Sequence, residues 1–452
     1  MKLYNSLGRE FQEFKPIKPG FVSIYSCGPT VYERAHIGNL ASFIYADTLR
    51  RVLSASGYDV KHVMNITDVD DKTIATAKER YPDLEPNDAL RKLTSELESQ
   101  FMDDLKAVGV DVDAIQFVKA TENIESMQGL IKELLEAGVA YAADDGIYFS
   151  IEKYRQAGKN YGQLTNVTAD DTSHARINND EYDKDNAHDF ALWKKQKDGE
   201  PAWDFEVSGK NIKGRPGWHI ECSAMSTKFL GQPFDIHTGG VDLKFPHHEN
   251  EIAQSTAADG EVLANFFFHN EHMLVDGKKM SKSLHNFYTL EDIQKKGFNL
   301  LAFRLLVLQS HYRSQSNFSW EGLGAAQNRL KKVYAWADLV HQTNRVNKFM
   351  DASGQNTEAL EDDLRTGDLL VLIELNMDIA PKPNLLEKLD QLLGLNLSNR
   401  PDASEQQKKL ISERETARKN DDWQSADEFR GQLEKQGIGI NDTDRGPVWY
   451  RS

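Results

Sequence analysis

The chain is poor in cysteine, with two in 452 residues. Cys27 and Cys222 lie far apart in sequence, which excludes the disulfide framework of a small secreted domain. Two such thiols are either isolated core residues or members of a site, and they suit a reducing compartment. We therefore expect a cytoplasmic protein.

Long hydrophobic runs are also missing. Hydrophobic residues make up 39% of the chain and charged residues 27%, and no apolar stretch is long enough to span a bilayer. No charged-then-apolar leader follows Met1. The sequence predicts a protein with no membrane partner.

Positive charge is scarce: Lys and Arg number 54 against 70 Asp and Glu, which gives a net charge of -16. A protein that coats nucleic acid without specificity needs concentrated cations to pair with phosphates, so that class is excluded. Any contact with RNA must use local basic patches.

The length, in contrast, is enough for about three domains. The apolar segment from Phe21 to Cys27 stops at Gly28-Pro29, which predicts a buried strand followed by a tight turn. Helical spacing of apolar residues from His36 to Gly57 predicts a helix, and Tyr58 to Ile66 predicts a second strand. A βαβ unit binds its ligand at the carboxyl ends of the strands, where Cys27 and His36 both lie.

The rest of the chain divides where the pattern changes. A polar run from Thr165 to His188 falls in a segment that interrupts the predicted sheet, and helical periodicity dominates after Phe318. The predicted division is 1–110 and 206–270 for two halves of a sheet domain, 111–205 for an insertion, 271–318 for a connecting region, 319–397 for a helical bundle and 405–452 for a small C-terminal domain.

Two segments carry chemistry suited to a nucleotide. His36-Ile-Gly38-Asn39 opens a helix directly after a strand, where backbone N–H groups favour a triphosphate and Gly38 allows close approach. A histidine that only caps the helix is the alternative. Lys278-Lys-Met-Ser-Lys-Ser283 predicts an exposed loop whose ammonium groups can stabilise charge developing on phosphates, with a solvated basic turn as the alternative.

A third set of residues has the chemistry of metal ligands. Cys222 and the segment Pro246-His-His-Glu-Asn-Glu251 add to Cys27 a second thiol, imidazoles and carboxylates, all within the ligand repertoire of zinc. Pro246 is predicted to begin a helix, so that His247 and Glu251 share one face. His248 fits helical spacing equally well.

In combination these segments resemble the class I aminoacyl-tRNA synthetases and, from Tyr4 to Trp449, the cysteinyl-tRNA synthetase family. The resemblance implies an α/β fold: a Rossmann-like parallel-sheet domain with an insertion, followed by an α-helical bundle and a small C-terminal α+β domain. It also implies an enzyme, expected to be a monomer. This enzyme converts L-cysteine and ATP, with magnesium, into cysteinyl-adenylate and passes the cysteinyl group to tRNA(Cys).

The same resemblance implies roles for individual residues. It implies one zinc ion per chain, which selects the substrate thiolate over a serine hydroxyl, and it favours His247 over His248. The implied ligands are Cys27, Cys222, His247 and Glu251. The other implied sites are catalytic residues His36, Asn39, Lys279 and Lys282; ATP-binding residues Gly38, Gly240, Asp242 and Lys282; and cysteine-binding residues Gly28, Thr67 and Trp218, with Asp68 or a neighbouring carboxylate holding the ammonium group.

Three positions depart from the family pattern. Asn39 stands where a second histidine is common and keeps a side chain that can form hydrogen bonds. His285 stands where glycine is usual, which affects the expected mobility of the basic loop. Asp362-Asp-Leu-Arg-Thr366 replaces Asp-Asp-Phe-Asn-Thr, so different packing is expected there.

The C-terminal tail combines cations with aromatic residues, a mixture suited to unpaired bases, although a solvated helix face is the alternative. These residues are Lys408, Lys409, Arg414, Arg418, Lys419, Trp423, Trp449 and Arg451. The resemblance implies that the tail recognises the anticodon. A tail of this kind argues against the closest rival, a paralogous ligase that joins cysteine to an aminosugar. Intact His36, Lys279 and Lys282 argue against a non-catalytic tRNA-binding paralogue.

Overall fold

The computed structural model of the chain describes residues 1–165, 172–177, 187–281, 284, 286–342, 348–351, 358–444 and 446–451. Lys282, His285 and much of the polar run from Thr165 to His188 lie outside the described residues. Within the described part of the chain, no helix is both long and apolar enough to cross a membrane.

The strands are β1 (Lys2–Asn5), β2 (Glu10–Glu13), β3 (Phe21–Ser26), β4 (Asp59–Ile66), β5 (Ile115–Lys119), β6 (Ala140–Ala143), β7 (Gly146–Phe149), β8 (Thr172–Ile177), β9 (Ala187–Lys195), β10 (Glu206–Val207), β11 (Lys210–Asn211), β12 (Gly214–Pro216), β13 (Phe234–Gly240), β14 (Ala264–Asn270), β15 (Met273–Val275), β16 (Ser316–Phe318), β17 (Phe349–Met350), β18 (Ala380–Pro381), β19 (Ile438–Thr443) and β20 (Gly446–Arg451).

The α-helices are α1 (Ile37–Ala55), α2 (Asp71–Arg80), α3 (Pro86–Ala107), α4 (Ile124–Glu136), α5 (Ile151–Gln156), α6 (Trp218–Leu230), α7 (Glu249–Ala258), α8 (Leu290–Lys295), α9 (Leu300–Leu308), α10 (Trp320–Ala337), α11 (Glu358–Glu361), α12 (Thr366–Leu375), α13 (Pro383–Leu393), α14 (Glu405–Lys419) and α15 (Trp423–Lys435).

A five-stranded parallel sheet forms the centre of the molecule, in the order β14-β13-β3-β4-β5. Helix α1 connects β3 to β4, so the predicted βαβ unit is confirmed. Ile24 and Tyr25, whose side chains point to opposite faces of β3, are both fully buried, as expected for a strand covered on both faces. The predicted α/β fold class is confirmed, and the sheet aligns the carboxyl ends of β3, β4 and β13 at one edge.

The segment between β5 and β13 builds a second sheet, in which β12, β9, β7 and β6 pair antiparallel. Its β6–β7 hairpin turns at Asp144-Asp145, because Ala143 pairs with Gly146. Strand β12 belongs to this sheet, so the sheet continues beyond the expected boundary at residue 205. Helix α6 follows immediately and returns the chain to the central sheet.

The segment that departs from the family pattern in the bundle packs through Asp363. Its carboxylate accepts hydrogen bonds from the Tyr4 backbone N–H at 3.0 Å, the Tyr312 hydroxyl at 2.5 Å and Arg313 Nε at 2.8 Å. The next residue, Leu364, is buried. These contacts tie the segment to the first strand of the chain and to the loop after α9.

A buried ionic cluster joins α1 to α9. Asp47 and Arg304 are both fully buried, and Arg304 Nη2 lies 2.7 Å from Asp47 Oδ2. Arg50 and Arg51 also contact the same carboxylate, at 3.0 and 2.7 Å. Burial acts to raise the pKa of Asp47, but the three arginines outweigh it and lower that pKa. The cluster therefore holds an ionised carboxylate in the core.

Replacing Asp47 with Asn is expected to destabilise the chain by about 3–5 kcal/mol, because Arg304 is left buried without its counterion. Since the folded-state pKa of Asp47 is lowered, its stabilising effect is present at neutral pH and is lost as the pH falls below about 4. Urea unfolding of the variant and of Arg91→Gln, which removes an exposed ion pair, measures the difference. Equal unfolding midpoints for the two variants would contradict this role.

Candidate active site and metal centre

A cleft of about 260 Å³ opens at the carboxyl ends of β3 and β13. Open α/β sheets bind ligands at this edge. Half of the residues predicted to form the site line this cleft. The predicted residues that line the cleft are Cys27, Gly28, His36, Asn39, Trp218, Gly240 and Asp242.

His36 is the N-cap residue of α1. Its Nδ1 accepts a hydrogen bond from the Asn39 backbone N–H at 3.2 Å, and Asn39 Oδ1 accepts one from the His36 N–H at 3.3 Å. His36 therefore caps the helix through Nδ1. Burial lowers the pKa of His36, which favours a neutral ring. With Nδ1 accepting, Nε2 carries the proton and remains a donor in a cleft-lining side chain.

The basic loop and the residues that follow it contact the start of α1. A Cβ at Gly38 would lie 3.5 Å from Met280 Cε, and the rings of His36 and Phe287 are 4.9 Å apart edge to face. The Ile37 N–H also donates to the Tyr288 carbonyl at 2.9 Å. Lys279 is exposed, whereas Lys282 lies outside the described residues. The His36–Asn39 segment and the basic loop, which are far apart in sequence, are thus neighbours in space.

Gly240 ends β13 at the cleft wall, and Asp242 follows two residues later. A Cβ at Gly239 would lie 2.8 Å from Leu243 Cδ1 and 2.9 Å from His248 Cε1, so a side chain there would press into the wall. Asp242 is half-exposed, and its Oδ1 is 4.0 Å from His272 Nδ1. Its carboxylate is available to a ligand in the cleft.

Four potential metal ligands converge behind the cleft. Ligand atoms of Cys27, Cys222, His247 and Glu251 all lie within 4.8 Å of one another. The two sulfurs are 3.7 Å apart, and both cysteines are free. Two sulfurs bound to one tetrahedral zinc ion at about 2.3 Å are separated by about 3.8 Å. The donor set and the spacing of its sulfurs therefore fit zinc.

His248 belongs to a second possible cluster with Cys27, His237 and Glu251. Its Nε2 lies 3.3 Å from Cys27 Sγ, and its Nδ1 is 2.8 Å from His269 Nε2. This second set leaves out Cys222, although the Cys222 sulfur is adjacent to Cys27 Sγ. The set with both sulfurs and His247 is the better fit to a zinc ion.

The helical segment that carries His247 and Glu251 is irregular at its start. Lys244–His248 forms a π-helical turn with an extended residue at Phe245, and the regular helix α7 begins at Glu249. Because a residue before proline is driven away from helical geometry, helical geometry resumes at Pro246, as predicted, and continues into α7. His247 Nε2 and Glu251 Oε1 meet at 2.9 Å on this segment.

Two histidines that the sequence analysis missed orient these ligands. His219 Nδ1 lies 2.8 Å from His247 Nδ1, and His237 Nε2 lies 2.6 Å from Glu251 Oε2. Partners of this kind orient metal ligands and tune their basicity. His237 lies in the middle of the buried strand β13, and its place in an apolar segment was the only sequence signal for it.

Neighbouring groups favour the anionic forms of Glu251 and Cys222, whereas burial raises the pKa of Cys27 and, against the effect of burial, the Glu251 carboxylate raises that of His247. Burial acts to raise the pKa of Glu251, but His237 and His247 outweigh it and lower that pKa to about 2. Burial also acts to raise the pKa of Cys222, but the hydrogen bond with Cys27 and the His247 ring lower it to about 6. Metal binding requires deprotonated ligands. The site therefore favours the anionic forms of two of its ligands.

Trp218 stands between the cleft and the cluster. Its ring stacks on that of His247, with centroids 4.2 Å apart and planes 21° apart. Because the side chain also lines the cleft, it both supports a candidate ligand and forms a wall. Support of His247 is compatible with the cysteine-binding role that the resemblance implies for Trp218.

Thr67 and Asp68 follow β4 but do not line the cleft. The Asp68 carboxylate accepts hydrogen bonds from the backbone N–H and the hydroxyl of Thr121, at 2.9 and 2.5 Å. The Thr67 hydroxyl instead donates to Glu221 Oε2 at 2.7 Å. Burial raises the pKa of Glu221, and the Thr67 hydrogen bond opposes that rise. The carboxylate next to Thr67 is thus Glu221, which the sequence did not indicate.

In the C-terminal tail, most of the predicted contact residues have structural partners. Arg414 is buried and pairs with Asp442 at 2.8 Å, and Trp449 is a core residue. Arg451 donates to the Pro401 and Asp402 carbonyls. Trp423 differs, because it is 55% exposed. The Arg418 guanidinium lies 5.1 Å from the centroid of its ring.

Solved structures share this architecture. The chain superposes on the methionyl-tRNA synthetase of Mycobacterium tuberculosis with a TM-score of 0.52, 14% identity and coverage of 87% of this chain and 84% of that one. The LeuRS of Agrobacterium radiobacter K84 gives a TM-score of 0.54 at 12% identity, with 85% and 83% covered. Residues 13–328 match the family described as tRNA synthetases class I (C) catalytic domain. The fold and cleft are those of a class I aminoacyl-tRNA synthetase.

Relatives with higher sequence identity show the family within this class. A cysteine–tRNA ligase of Brachyspira hyodysenteriae is 42% identical over 482 residues, covering 99% of this chain and 98% of that protein. The cysteine–tRNA ligase of Finegoldia magna is 39% identical, with 100% of both chains covered. Residues 400–449 match the family described as cysteinyl-tRNA ligase anticodon binding domain. The chain belongs to the cysteine–tRNA ligase family.

Proposed function

We propose that the protein activates L-cysteine with ATP to give cysteinyl-adenylate and pyrophosphate. It then transfers the cysteinyl group to the 2′-hydroxyl of the terminal ribose of tRNA(Cys). One observation carries this proposal: a set of thiol, imidazole and carboxylate ligands lies beside the cleft where the His36–Asn39 segment meets the basic loop. Such a site can bind the thiol of cysteine and the triphosphate of ATP next to each other.

In this proposal the chain acts on ATP by positioning and charge. His36 Nε2 donates to a phosphate oxygen, Asn39 holds the His36 ring through the cap, and Gly38 lets the nucleotide approach the backbone. Gly240 leaves room for the adenosine, and Asp242 accepts from the ribose hydroxyls. Lys279 and Lys282 stabilise the charge that develops as the carboxylate of cysteine attacks the α-phosphate of magnesium-bound ATP.

Cys27, Cys222, His247 and Glu251 would hold one zinc ion. When bound, zinc lowers the pKa of a thiol and binds the soft thiolate more strongly than a hydroxyl, which is how it would distinguish cysteine from serine. Shape alone separates these two amino acids poorly. Gly28, Thr67 and Trp218 would surround the rest of the amino acid.

We also propose a division of labour along the chain. Residues 1–110 and 206–270 form the two halves of the catalytic domain, around the insertion at 111–205. Residues 271–318 carry the basic loop and contact the tRNA stem, the helical bundle at 319–397 binds tRNA, and residues 405–452 read the anticodon. The protein would act as a cytoplasmic monomer.

The first half-reaction tests the proposal directly. Exchange of pyrophosphate into ATP should depend on cysteine and should not respond to serine or to other amino acids. Exchange without dependence on cysteine, or equal exchange with serine, would contradict the assignment of this substrate.

Trp423 offers a test of the anticodon role. Stacking of a base on an aromatic ring is worth about 1–3 kcal/mol, so Trp423→Ala should lower kcat/KM for charging roughly tenfold at tRNA concentrations below saturation. Cysteine activation should not change. Trp423→Phe keeps an aromatic ring and should retain most of the charging activity. If Trp423→Ala charges tRNA as efficiently as the wild-type protein, this side chain does not contact tRNA.

The rival functions are less well supported. A ligase that joins cysteine to an aminosugar needs no anticodon module, yet residues 400–449 match one. A non-catalytic paralogue has no use for His36 and Lys279 beside a formed cleft. Neither alternative is favoured by the full-length match to cysteine–tRNA ligases.

A further inference from the structure

Glu221 is a fully buried carboxylate whose charge is poorly compensated. Its Oε2 accepts the hydroxyl of Thr67 at 2.7 Å, and its Oε1 has no hydrogen-bond partner within the described part of the chain. The ionisable groups that influence it include Asp68 and Asp70, which carry the same sign. Burying a carboxylate in this way is costly unless a cation or donor compensates it.

The hydrogen bonds of Thr67 decide what this residue can offer to a ligand. A hydroxyl has one donor and two acceptor lone pairs. The donor is committed to Glu221, and Asn65 Nδ2 donates to one lone pair at 3.2 Å. The remaining lone pair can only accept. Thr67 is therefore arranged to receive a donor such as an ammonium group, and it cannot donate to a carboxylate.

This arrangement lies next to the candidate metal ligands. Glu221 precedes Cys222 on α6. Asn65 Oδ1 accepts from the Gly28 N–H at 2.8 Å and lies 3.6 Å from Cys222 Sγ. An amino acid whose sulfur is held beside Cys222 would carry its ammonium group only a few bonds away. The network thus connects the candidate metal ligands to the Thr67 hydroxyl through Asn65.

We propose that Glu221 is a positioning residue that fixes the Thr67 hydroxyl as an acceptor for the α-ammonium group of cysteine. This inference rests on the proposed function, since it assumes that cysteine is the substrate. Glu221 acts through Thr67, whose hydroxyl it orients by accepting the hydroxyl proton. Asp68 does not share this role, because both of its oxygens are bonded to Thr121.

Two fragments of cysteine separate this role from general support of the site. Cysteamine keeps the thiol and the ammonium group, and 3-mercaptopropionate keeps the thiol and the carboxylate. In Glu221→Gln the amide can either accept from Thr67 or donate to it, so the hydroxyl is no longer held in one orientation. The KM for cysteine and the inhibition constant of cysteamine in pyrophosphate exchange should each rise about tenfold. Inhibition by 3-mercaptopropionate should change less than about twofold.

Matched variants make the outcome decisive. Asp68→Asn should leave the ratio of the two inhibition constants unchanged. Thr67→Val should shift the ratio in the same direction as Glu221→Gln, and the double variant should shift it no further, because one residue acts through the other. Zinc content should stay at the wild-type level in Glu221→Gln.

Three results would overturn the inference. The first is an unchanged ratio of the two inhibition constants in Glu221→Gln, and the second is additive effects of Glu221→Gln and Thr67→Val. The third is loss of zinc with equal weakening of both inhibitors, which would make Glu221 a support of the metal site. Absence of cysteine-dependent exchange in the wild-type protein would instead overturn the proposed function itself.

Discussion

Cys222→Ser is expected to empty the metal site and to abolish most cysteine activation. The wild-type protein should carry about one zinc ion per chain, because four ligands of the zinc type converge. A serine hydroxyl does not replace the thiolate, and loss of a ligand should cost more than the roughly 10- to 100-fold that loss of an outer partner costs. Metal analysis of dialysed protein and cysteine-dependent pyrophosphate exchange measure the two effects.

The control for this variant lies on the same helix. Ser226 is buried on α6 and donates only to the Ser223 carbonyl among the hydrogen bonds of the described residues. Ser226→Ala should keep both metal and activity. A Cys222→Ser protein that retains its zinc and still rejects serine would show that the cluster has another purpose.

Lys279→Ala should slow the activation step about 100- to 1,000-fold, comparable to the loss of one donor that stabilises transition-state charge. Because the cation acts mainly on charge that develops in the transition state, KM for ATP should change much less than kcat. Rates of pyrophosphate exchange across an ATP series separate the two constants.

The neighbouring lysine is a natural control. Lys278 is also exposed, but its backbone is held in a turn by reciprocal hydrogen bonds with Val275, and it is not assigned to the site. Lys278→Ala should therefore retain most activity. If the two alanine variants lose activity equally, the loop acts through its net charge and no single cation is specific.

The sequence was most informative where structure depends on neighbours along the chain. The apolar run that stops at Gly28-Pro29, the helix from His36 and the next strand are local patterns, and their parallel packing follows from chain connectivity. Residues at strand ends then fall at one edge of the sheet. This explains why Cys27, His36 and Asp242 could be placed together without coordinates.

Contacts between distant segments were not predictable in the same way. The pairs His219–His247 and His237–Glu251 depend on how α6, β13 and α7 pack, which periodicity does not specify. The C-terminal tail shows the same limit. Arg414 and Trp449 are residue types common on nucleic-acid-binding surfaces, but Arg414 pairs with Asp442 and Trp449 is part of the hydrophobic core. Residue type suggests chemistry, whereas packing decides which side chains remain available.

The central claim is most directly tested by following the cysteinyl group to its acceptor. Wild-type protein is incubated with ATP, radiolabelled cysteine, tRNA(Cys) and an excess of aminosugar, and the label in each acceptor is measured. The account predicts that cysteine is esterified to tRNA(Cys) up to its acceptor capacity while the aminosugar stays unlabelled. Transfer to the aminosugar, or activation of cysteine without any cysteinyl-tRNA, would contradict it.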